Sequence, residues 1–422
     1  MRDVLMIAYY FPPLGGSGVQ RSLKFARYLP EHGWRPLVVA PRRGLRDEPM
    51  DPSLLAELPA AAEVTRTGRL DLTLLPRIAR RLRLGPLSRL LTYLTRYLPD
   101  AQVGWLPWAL PAALRQARRA DVIYSTSAPY SDHLLAWLCK RATGKPWVAD
   151  FRDEWSANPS LRYPSPAFLA LNRALERRLL RAADAVIVTS RLHAVSQRRL
   201  LPPEQRAKVR LIHNGFDPAD RAALVPRARD GRWTLAHVGS LYGVYQPDTL
   251  LAALDLAVRD GSIPASDVRL VFAGALSRSA PVPAALAGVV EFTGYLPHGE
   301  ALGVLDSADA ALIILGTHGA ARDGRAGVTA VPGKMFEYWM LGKPILALAP
   351  AESYAAELLR GAGYAAIRDP GDVAGVAGLL AAEYRRWRDG AAHPPLDGAY
   401  VARFERRALA GELAAVFDEV LA

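Results

Sequence analysis

Residues 4–28 read VLMIAYYFPPLGGSGVQRSLKFARY, an apolar run followed by a proline- and glycine-rich turn and then a helical pattern. A buried strand, a tight turn and a helix in that order are typical of the first unit of a parallel sheet covered by helices. Glycines let the backbone approach a ligand, and the first amides of a helix favour an anion such as phosphate. Packing alone also explains such a turn. Gly15 and Gly16 are therefore candidate ligand contacts, and Arg21, one turn into the helix, favours an anionic ligand.

The pattern of this first unit recurs along the whole chain, because short apolar runs alternate with longer helical segments. In the first half the predicted strands are Val4–Tyr10, Leu37–Ala40, Val122–Ser125, Trp147–Phe151, Ala185–Ser190 and Val209–His213. In the second half they are Thr234–Val238, Val268–Ala273, Val289–Thr293, Ala310–Leu315 and Pro344–Ala349. The sequence therefore predicts an α/β protein in which two Rossmann-like, doubly wound domains face a central cleft, with ligands at the carboxyl ends of the strands.

The predicted domains cover residues 1–213 and 214–396, and a helix over 397–422 either caps the second domain or crosses back to the first. The chain has 422 residues, of which 50% are hydrophobic and 22% charged, an ordinary globular composition. The apolar run at the start is too short for a signal peptide, and no apolar stretch approaches the roughly 20 residues that span a bilayer. The single cysteine, Cys139, excludes an intrachain disulfide and predicts a reducing, cytoplasmic location.

The net charge of +12 is distributed unevenly. Residues 1–215 contain 34 Lys and Arg against 17 Asp and Glu, whereas residues 216–422 contain 19 against 24. Since only the first half is basic, an anionic partner is expected to meet that half. A membrane surface, a phosphorylated acceptor and a nucleic acid all have that chemistry.

A segment over residues 66–99 interrupts the first domain and contains eight arginines but only one acid, Asp71. Helical spacing places two sets of apolar residues each on one face; these are Leu74, Leu75, Ile78 and Leu82, and then Leu87, Leu90, Leu91, Leu94 and Leu98. One interpretation is an interfacial membrane anchor, with Arg80, Arg81, Arg83, Arg89, Leu90, Leu91 and Leu94 as the candidate contacts. The other is that the leucines pack on the domain core while the arginines are solvated.

A second candidate cluster, Asp150-Phe151-Arg152-Asp153-Glu154-Trp155, stands where a strand is predicted to end. Three acids and an arginine at that edge are poorly explained by packing, because buried charges are costly unless they are paired. Asp153 is the candidate contact to a substrate hydroxyl, although a structural role is the alternative. Asp150 and Arg152 are a possible structural ion pair.

The third cluster is Val331-Pro332-Gly333-Lys334-Met335-Phe336-Glu337-Tyr338, which is followed by Gly342-Lys343-Pro344. Lys334 and Glu337 share one face of a helix that begins near Gly333, so amide groups and an ammonium group are expected at the edge of the second sheet. The alternative is a surface ion pair worth a few tenths of a kcal/mol.

Several motifs for metal-dependent or nucleophilic catalysis are absent from the sequence. No Asp-x-Asp pair, Walker-type phosphate loop, Gly-x-Ser-x-Gly elbow or His-Glu-x-x-His motif occurs. The sequence therefore predicts no metal site.

Taken together, the clusters resemble glycosyltransferases of the two-Rossmann-domain (GT-B) architecture, family 4. The resemblance depends on the order of the Tyr-Tyr-Phe-Pro-Pro opening with Gly15-Gly16, the Asp150–Trp155 cluster, Asn214-Gly215-Phe216-Asp217, and the Pro332-Gly333-Lys334-x-x-Glu337 motif. It implies transfer of a sugar from a nucleoside diphosphate sugar, with retention of configuration and without a metal or other cofactor. It also implies that the second domain holds the nucleotide and the first receives the acceptor, and the basic first half predicts that this acceptor is anionic or lipid-linked.

The resemblance also implies individual roles. Glu337 would accept hydrogen bonds from the ribose, and Lys334 with the amides from Gly333 onward would face the diphosphate. The implied donor contacts are Gly15, Gly16, Gly239, Gly294, Tyr295, Leu296, Arg325, Thr329, Gly333, Lys334 and Glu337; the catalytic candidates are Arg152, Asp153 and Lys334; and the acceptor candidates are Arg21, Asp150, Asp153 and Trp155.

Two departures from the family pattern are visible. Thr329 stands where the first motif glutamate is expected, and Gly239-Ser240-Leu241-Tyr242-Gly243 lacks the usual Arg and Lys pair, for which Arg322, Arg325 or Lys334 are the possible substitutes. The threonine leaves a non-catalytic transferase-like subunit open, and a sugar-nucleotide epimerase of the same architecture is a second alternative. Nucleic-acid binding through the basic half is a third, although no nucleic-acid-binding signature accompanies the charge.

Overall fold

The computed structural model describes residues 1–45, 48–158, 161–243, 245–277, 280–316, 331–363 and 366–422. The chain forms two compact units. The first comprises Met1–His213 and Arg406–Ala422, and the second comprises Asn214–Glu405. Each unit is built on its own parallel sheet.

Within the described residues, the sheet of the first unit has seven strands in the order β3-β2-β1-β4-β5-β6-β7. They are β1 (Arg2–Ile7), β2 (Trp34–Pro41), β3 (Glu63–Thr67), β4 (Val122–Ser127), β5 (Trp147–Phe151), β6 (Ala185–Val188) and β7 (Val209–Leu211). The strand order reverses between β1 and β4, which creates the switch point at which ligands of such sheets bind.

Helices cover both faces of this sheet. The helices of this unit before residue 214 are α1 (Ser17–Tyr28), α2 (Leu74–Arg81), α3 (Gly85–Tyr97), α4 (Leu106–Arg119), α5 (Ser131–Thr143), α6 (Pro166–Ala182) and α7 (Arg191–Leu200). Successive side chains of β1 point to opposite faces, so Leu5 and Ile7 pack in one core cluster while Val4 and Met6 pack in another. Burial on both faces explains why this strand is a continuous apolar run.

The second unit repeats the arrangement with six strands among its described residues, in the order β10-β9-β8-β11-β12-β13. The strands are β8 (Trp233–Val238), β9 (Val268–Ala273), β10 (Val290–Gly294), β11 (Ala310–Ile314), β12 (Ile345–Leu348) and β13 (Ala366–Arg368). The helices are α8 (Asp248–Arg259), α9 (His298–Ser307), α10 (Lys334–Met340), α11 (Tyr354–Gly361), α12 (Val373–Arg388) and α13 (Gly398–Ala402). The switch point of this sheet lies between β8 and β11.

The helix α14 (Arg406–Leu421) completes the core of the first unit. The ring of Phe417 lies 5.2 Å from Trp34 and 6.0 Å from Tyr124, measured between ring centroids. The first unit is therefore assembled from two separate parts of the sequence.

The predicted fold class, an α/β protein with two doubly wound parallel sheets, is confirmed. Strands β5 and β9 have the predicted bounds, whereas β3 and β13 were not predicted. Both lie at an edge of their sheet and are only partly buried, so neither shows a continuous apolar run.

The segment over 66–99 forms α2 and α3, but its first two residues belong to β3. Among the described helices, none has the length and apolar character needed to cross a bilayer.

Candidate active site

The short helix α10 places Lys334 and Glu337 at the carboxyl edge of the second sheet. Its apolar side chains are buried beneath it; they are Met335, Phe336, Tyr338, Trp339 and Met340. Lys334 and Glu337, three residues apart, remain half-buried on the opposite side. The Tyr338 hydroxyl accepts a hydrogen bond from the amide of Val238 at 3.1 Å. This bond ties the helix to the end of β8.

The ammonium group of Lys334 is held by a histidine of β8. Lys334 Nζ donates to His237 Nε2 over 2.5 Å, and His237 Nδ1 donates to the carbonyl of Leu312 on β11 over 3.0 Å. The second bond fixes the proton on Nδ1 and leaves Nε2 as the acceptor. His237 therefore positions the lysine at the switch point between β8 and β11.

Burial makes both groups of this pair less basic than usual. Desolvation lowers the pKa of Lys334 to about 7, and the nearby Glu337 carboxylate opposes that shift. Desolvation, followed by the charge of Lys334, lowers the pKa of His237 well below its ordinary value, so the imidazole stays neutral. A bound phosphate would restore the ammonium form of Lys334, because an opposite charge favours the charged state.

Glycines make room for the lysine beside the ends of β8 and β9. A Cβ atom on Gly239, whose φ is +115°, would lie 3.3 Å from Lys334 Nζ. A Cβ on Gly274, whose φ is +155°, would lie 2.4 Å from the backbone of Gly239. The two backbone turns thus approach each other closely enough that only glycine fits at Gly274.

The predicted ribose contact, Glu337, also has a histidine partner. His298 Nε2 lies 3.2 Å from Glu337 Oε1 and donates to it. His298 is the first residue of α9, and only Pro297 separates it from the turn Gly294-Tyr295-Leu296 at the end of β10. The structure therefore brings Glu337 close to Gly294-Tyr295-Leu296, three of the implied donor contacts, of which Tyr295 is exposed.

The predicted phosphate contacts near Gly333 are only partly available. The amides of Met335 and Phe336 donate to the carbonyls of Pro332 and Gly333 at 3.1 and 3.2 Å. Because these donors are in use, we assign the phosphate contact to the Lys334 side chain rather than to those two amides. Arg322, Arg325 and Thr329 lie outside the described residues.

Nucleotide affinity is expected to depend on pH through Lys334. Below about pH 7 the ammonium form exists before binding, whereas above it the amine must take up a proton to meet a diphosphate. The dissociation constant for a nucleoside diphosphate should therefore rise from pH 7 to pH 9, by at most roughly tenfold per pH unit. Calorimetry in buffers of different ionisation enthalpy measures both the affinity and the proton uptake. A Lys334→Met variant should bind more weakly with no proton uptake, and an equal pH slope in that variant would contradict the assignment.

In the first unit, Arg21 and Asp150 form a buried ion pair instead of contacting an acceptor. Arg21 Nε and Nη2 donate to the two carboxylate oxygens of Asp150 at 2.7 and 3.1 Å, and both side chains are at most 1% exposed. Arg21 also donates to the carbonyls of Ile212 and His213, and Tyr124 donates to Asp150. The prediction of acceptor contact is therefore corrected for this pair, because neither charge reaches the surface.

Three other residues of the second cluster, Arg152, Asp153 and Trp155, differ in how far they are exposed to solvent. Trp155 is fully buried, stacks on Tyr130 at 4.4 Å between centroids and donates to Asn172, so its predicted acceptor contact is also corrected. Arg152 donates to the carbonyls of Ser127, Ala128 and Gly18 and does not pair with Asp150 as predicted. Asp153 is exposed and stays a candidate for the substrate hydroxyl.

The glycine-rich turn after β1 offers fewer free amides than predicted. The amide of Gly15 donates to the carbonyl of Pro49 at 2.9 Å, and Gly15 is buried. Gly16 adopts a φ of +88° at the start of α1 and is only half-buried. Gly16 is therefore the better placed of the two for a ligand.

Sequence reasoning missed the two histidines that hold the candidate site. His237 is fully buried near the end of an apolar strand. A titratable residue in such a strand, two positions before Gly239, was the feature of the sequence that could have indicated its role. His298 follows Pro297 at a helix start and carried no motif. Their partners Lys334 and Glu337 are 97 and 39 residues away, beyond the reach of local patterns.

The first half of the chain matches a protein-family model, and solved structures match nearly all of the chain. The family model described as "Glycosyl transferase 4-like domain" matches residues 15–215. No curated protein matches the sequence significantly. Solved structures match over nearly the full length at low sequence identity. The Anabaena protein Alr3699/HepE, in complex with UDP and glucose, is 14% identical with a TM-score of 0.64 over 99% of this chain and 100% of that chain.

Two further solved structures have the same fold. A UDP-forming α,α-trehalose-phosphate synthase from Burkholderia xenovorans is 14% identical with a TM-score of 0.59, over 100% of this chain and 99% of that chain. The lipopolysaccharide outer core galactosyltransferase WaaB, in its apo form, is 12% identical with a TM-score of 0.52, over 99% of each chain. The resemblance inferred from the sequence is thus confirmed. Residues 15–215 therefore match a glycosyl transferase 4-like domain, and the whole chain shares the fold of these solved structures.

Proposed function

We propose that the protein transfers a sugar from a nucleoside diphosphate sugar to an acceptor hydroxyl with retention of anomeric configuration. The observation that carries the proposal is the arrangement at the carboxyl edge of β8. There a half-buried ammonium group, Lys334, and a carboxylate, Glu337, lie beside Gly239 at the switch point of the sheet. The Anabaena structure, which holds UDP and glucose, supports a nucleotide donor.

The proposed mechanism follows from where charge develops. Departure of the nucleoside diphosphate builds negative charge on its phosphates while positive charge grows at the anomeric carbon. Lys334, held at His237, would stabilise that negative charge without reorganising during the reaction. Glu337, oriented by His298, would hold the ribose hydroxyls. The proposed reaction uses no metal or other cofactor, in keeping with the absence of an Asp-x-Asp motif.

Replacing Glu337 by glutamine is expected to weaken nucleotide binding. A hydrogen bond to a charged group contributes about 1.5–3 kcal/mol, so the dissociation constant for UDP should rise roughly 10- to 100-fold. Calorimetry on the folded variant measures this change. Glu300→Gln, an exposed carboxylate on α9, is the matched control and should bind UDP like the wild type. Unchanged affinity in Glu337→Gln would remove Glu337 from the ribose site.

The acceptor is proposed to be anionic or lipid-linked and to be met in the cytoplasm, at the inner face of the membrane. The basic first half of the chain supports an anionic acceptor, because opposite charge favours encounter. The single cysteine, which is buried and free, fits a reducing compartment.

A two-stage experiment separates this function from its alternatives. A thermal-shift screen first identifies the nucleotide sugar, since a ligand at 100 times its dissociation constant stabilises a protein by about 2.7 kcal/mol. That donor is then incubated with the protein, with and without candidate acceptors. A sugar nucleotide altered without any acceptor would indicate an epimerase. Binding with neither transfer nor donor hydrolysis would indicate a non-catalytic subunit.

A further inference from the structure

The helices α2 and α3 carry their large apolar side chains outward. The residues that they bury are small or polar, namely Pro76, Ala79, Ser88 and Thr95, and Ser88 donates to the carbonyl of Pro76 at 2.9 Å. The exposed apolar side chains, called here the leucine face, are Leu74, Leu75, Ile78, Leu82, Leu84, Leu87, Leu90, Tyr93 and Leu94. Leu91 and Leu98 are half-buried. An apolar patch of this kind is typical of an interaction surface.

Arginines surround the leucine face. They are Arg77, Arg80, Arg81, Arg83, Arg89 and Arg96, and all six are exposed. No aspartate or glutamate occurs from residue 72 to residue 99. In the part of the chain that the structure describes, none of these arginines has an ion-pair partner. Their positive charge is therefore available to a ligand.

Contacts to the rest of the first unit hold this helical pair in place. The Tyr93 ring lies 6.1 Å from Phe168, and the Tyr97 ring lies 6.0 Å from Tyr163. Asn172 Nδ2 donates to the carbonyl of Tyr97 at 2.7 Å. These contacts use the side of α3 that faces α6, so the leucines stay exposed on a supported surface.

We propose that the leucine face docks on a bilayer that contains anionic lipid. Apolar side chains flanked by arginines match an interface in which acyl chains lie beneath negatively charged headgroups. A second copy of the chain fits less well, because a symmetric contact through the same face would bring arginines against arginines. Docking itself does not depend on catalysis. Its purpose, access to a lipid-linked acceptor, rests on the proposed function.

Vesicle flotation of the full chain tests the proposal. The protein should float with vesicles of phosphatidylcholine mixed with phosphatidylglycerol, float less at high salt, and remain unbound with phosphatidylcholine alone. The variant Arg80→Gln/Arg81→Gln/Arg83→Gln should partition roughly 10²-fold less, since each arginine contributes to the attraction. The matched control neutralises three exposed arginines outside the segment, Arg177, Arg181 and Arg199, and should float like the wild type.

A second variant tests the apolar part of the surface. Leu87→Ser/Leu90→Ser/Leu94→Ser removes exposed side chains, so the fold should survive while flotation falls. UDP binding in the second unit should be unchanged in both variants, which separates failure of docking from failure of the proposed function. Equal flotation of the wild type and both variants would overturn the proposal. So would a dimer that the leucine substitutions dissociate, or binding to a DNA duplex without binding to vesicles.

Discussion

Replacing Lys334 by alanine is expected to lower the rate of sugar transfer by about 10² to 10³, because one preorganised donor at a developing charge contributes about 2.7–4 kcal/mol. The fold should be preserved, since the Lys334 side chain is half-buried and its hydrogen bond is to a histidine that is neutral. The measurement is the release of nucleoside diphosphate from the donor that the thermal-shift screen identifies, with circular dichroism as the check on folding.

Two companion variants sharpen this test. Lys334→Met keeps the length of the side chain without its charge and should lose activity to the same extent as Lys334→Ala. Lys343→Met is the control, because the Lys343 ammonium group donates to the carbonyls of Asp306 and Ala308 on another side of the second unit. Turnover at the wild-type rate in Lys334→Ala would exclude this lysine from the reaction.

Replacing Asp150 by alanine is expected to lower the free energy of unfolding of the first unit by about 3–5 kcal/mol, because it leaves the Arg21 charge buried without a partner. Tyr124, whose pKa is raised by burial and then by Asp150, would also lose its acceptor. Denaturant unfolding followed by tryptophan fluorescence measures the change, since Trp34, Trp105, Trp147 and Trp155 are buried in this unit.

The control for Asp150→Ala is an ion pair on the surface of the same unit. Arg2 and Asp418 are 2.9 Å apart with both side chains more than half exposed. Asp418→Ala should therefore destabilise the unit far less. If Asp150→Ala lost no more stability than Asp418→Ala, the structural role of the buried pair would be wrong. Nucleotide binding, which is proposed for the second unit, should persist in both variants below their unfolding temperatures.

Local sequence patterns predicted the strands that are buried on both faces, such as β5 and β9, because such strands are continuous apolar runs. They failed at β3, whose sequence Glu-Val-Thr-Arg-Thr mixes polar and apolar residues at the edge of a sheet. They also paired Asp150 with Arg152. The strand ends at Phe151, so Arg152 turns away to backbone carbonyls, and the partner of Asp150 is Arg21, 129 residues earlier.

The sequence predicted those residues of the candidate site that belong to a local motif. Lys334 and Glu337 were found from their spacing and the turn that precedes them, and the structure places both at the sheet edge. The residues that orient them, His237 and His298, belong to other elements and meet them only after folding. Packing between distant segments determined this part of the site, and no single segment encodes it.

The return of α14 to the first unit has a consequence for how the two units fold. Residues 214–405 form one continuous insertion, so the second unit contains all of its own core without any residue of α14. The first unit, by contrast, lacks Phe417 and its neighbours in the core until α14 packs against it. The second unit is thus expected to fold without help from the first, whereas the first unit depends on a segment that follows the whole of the second.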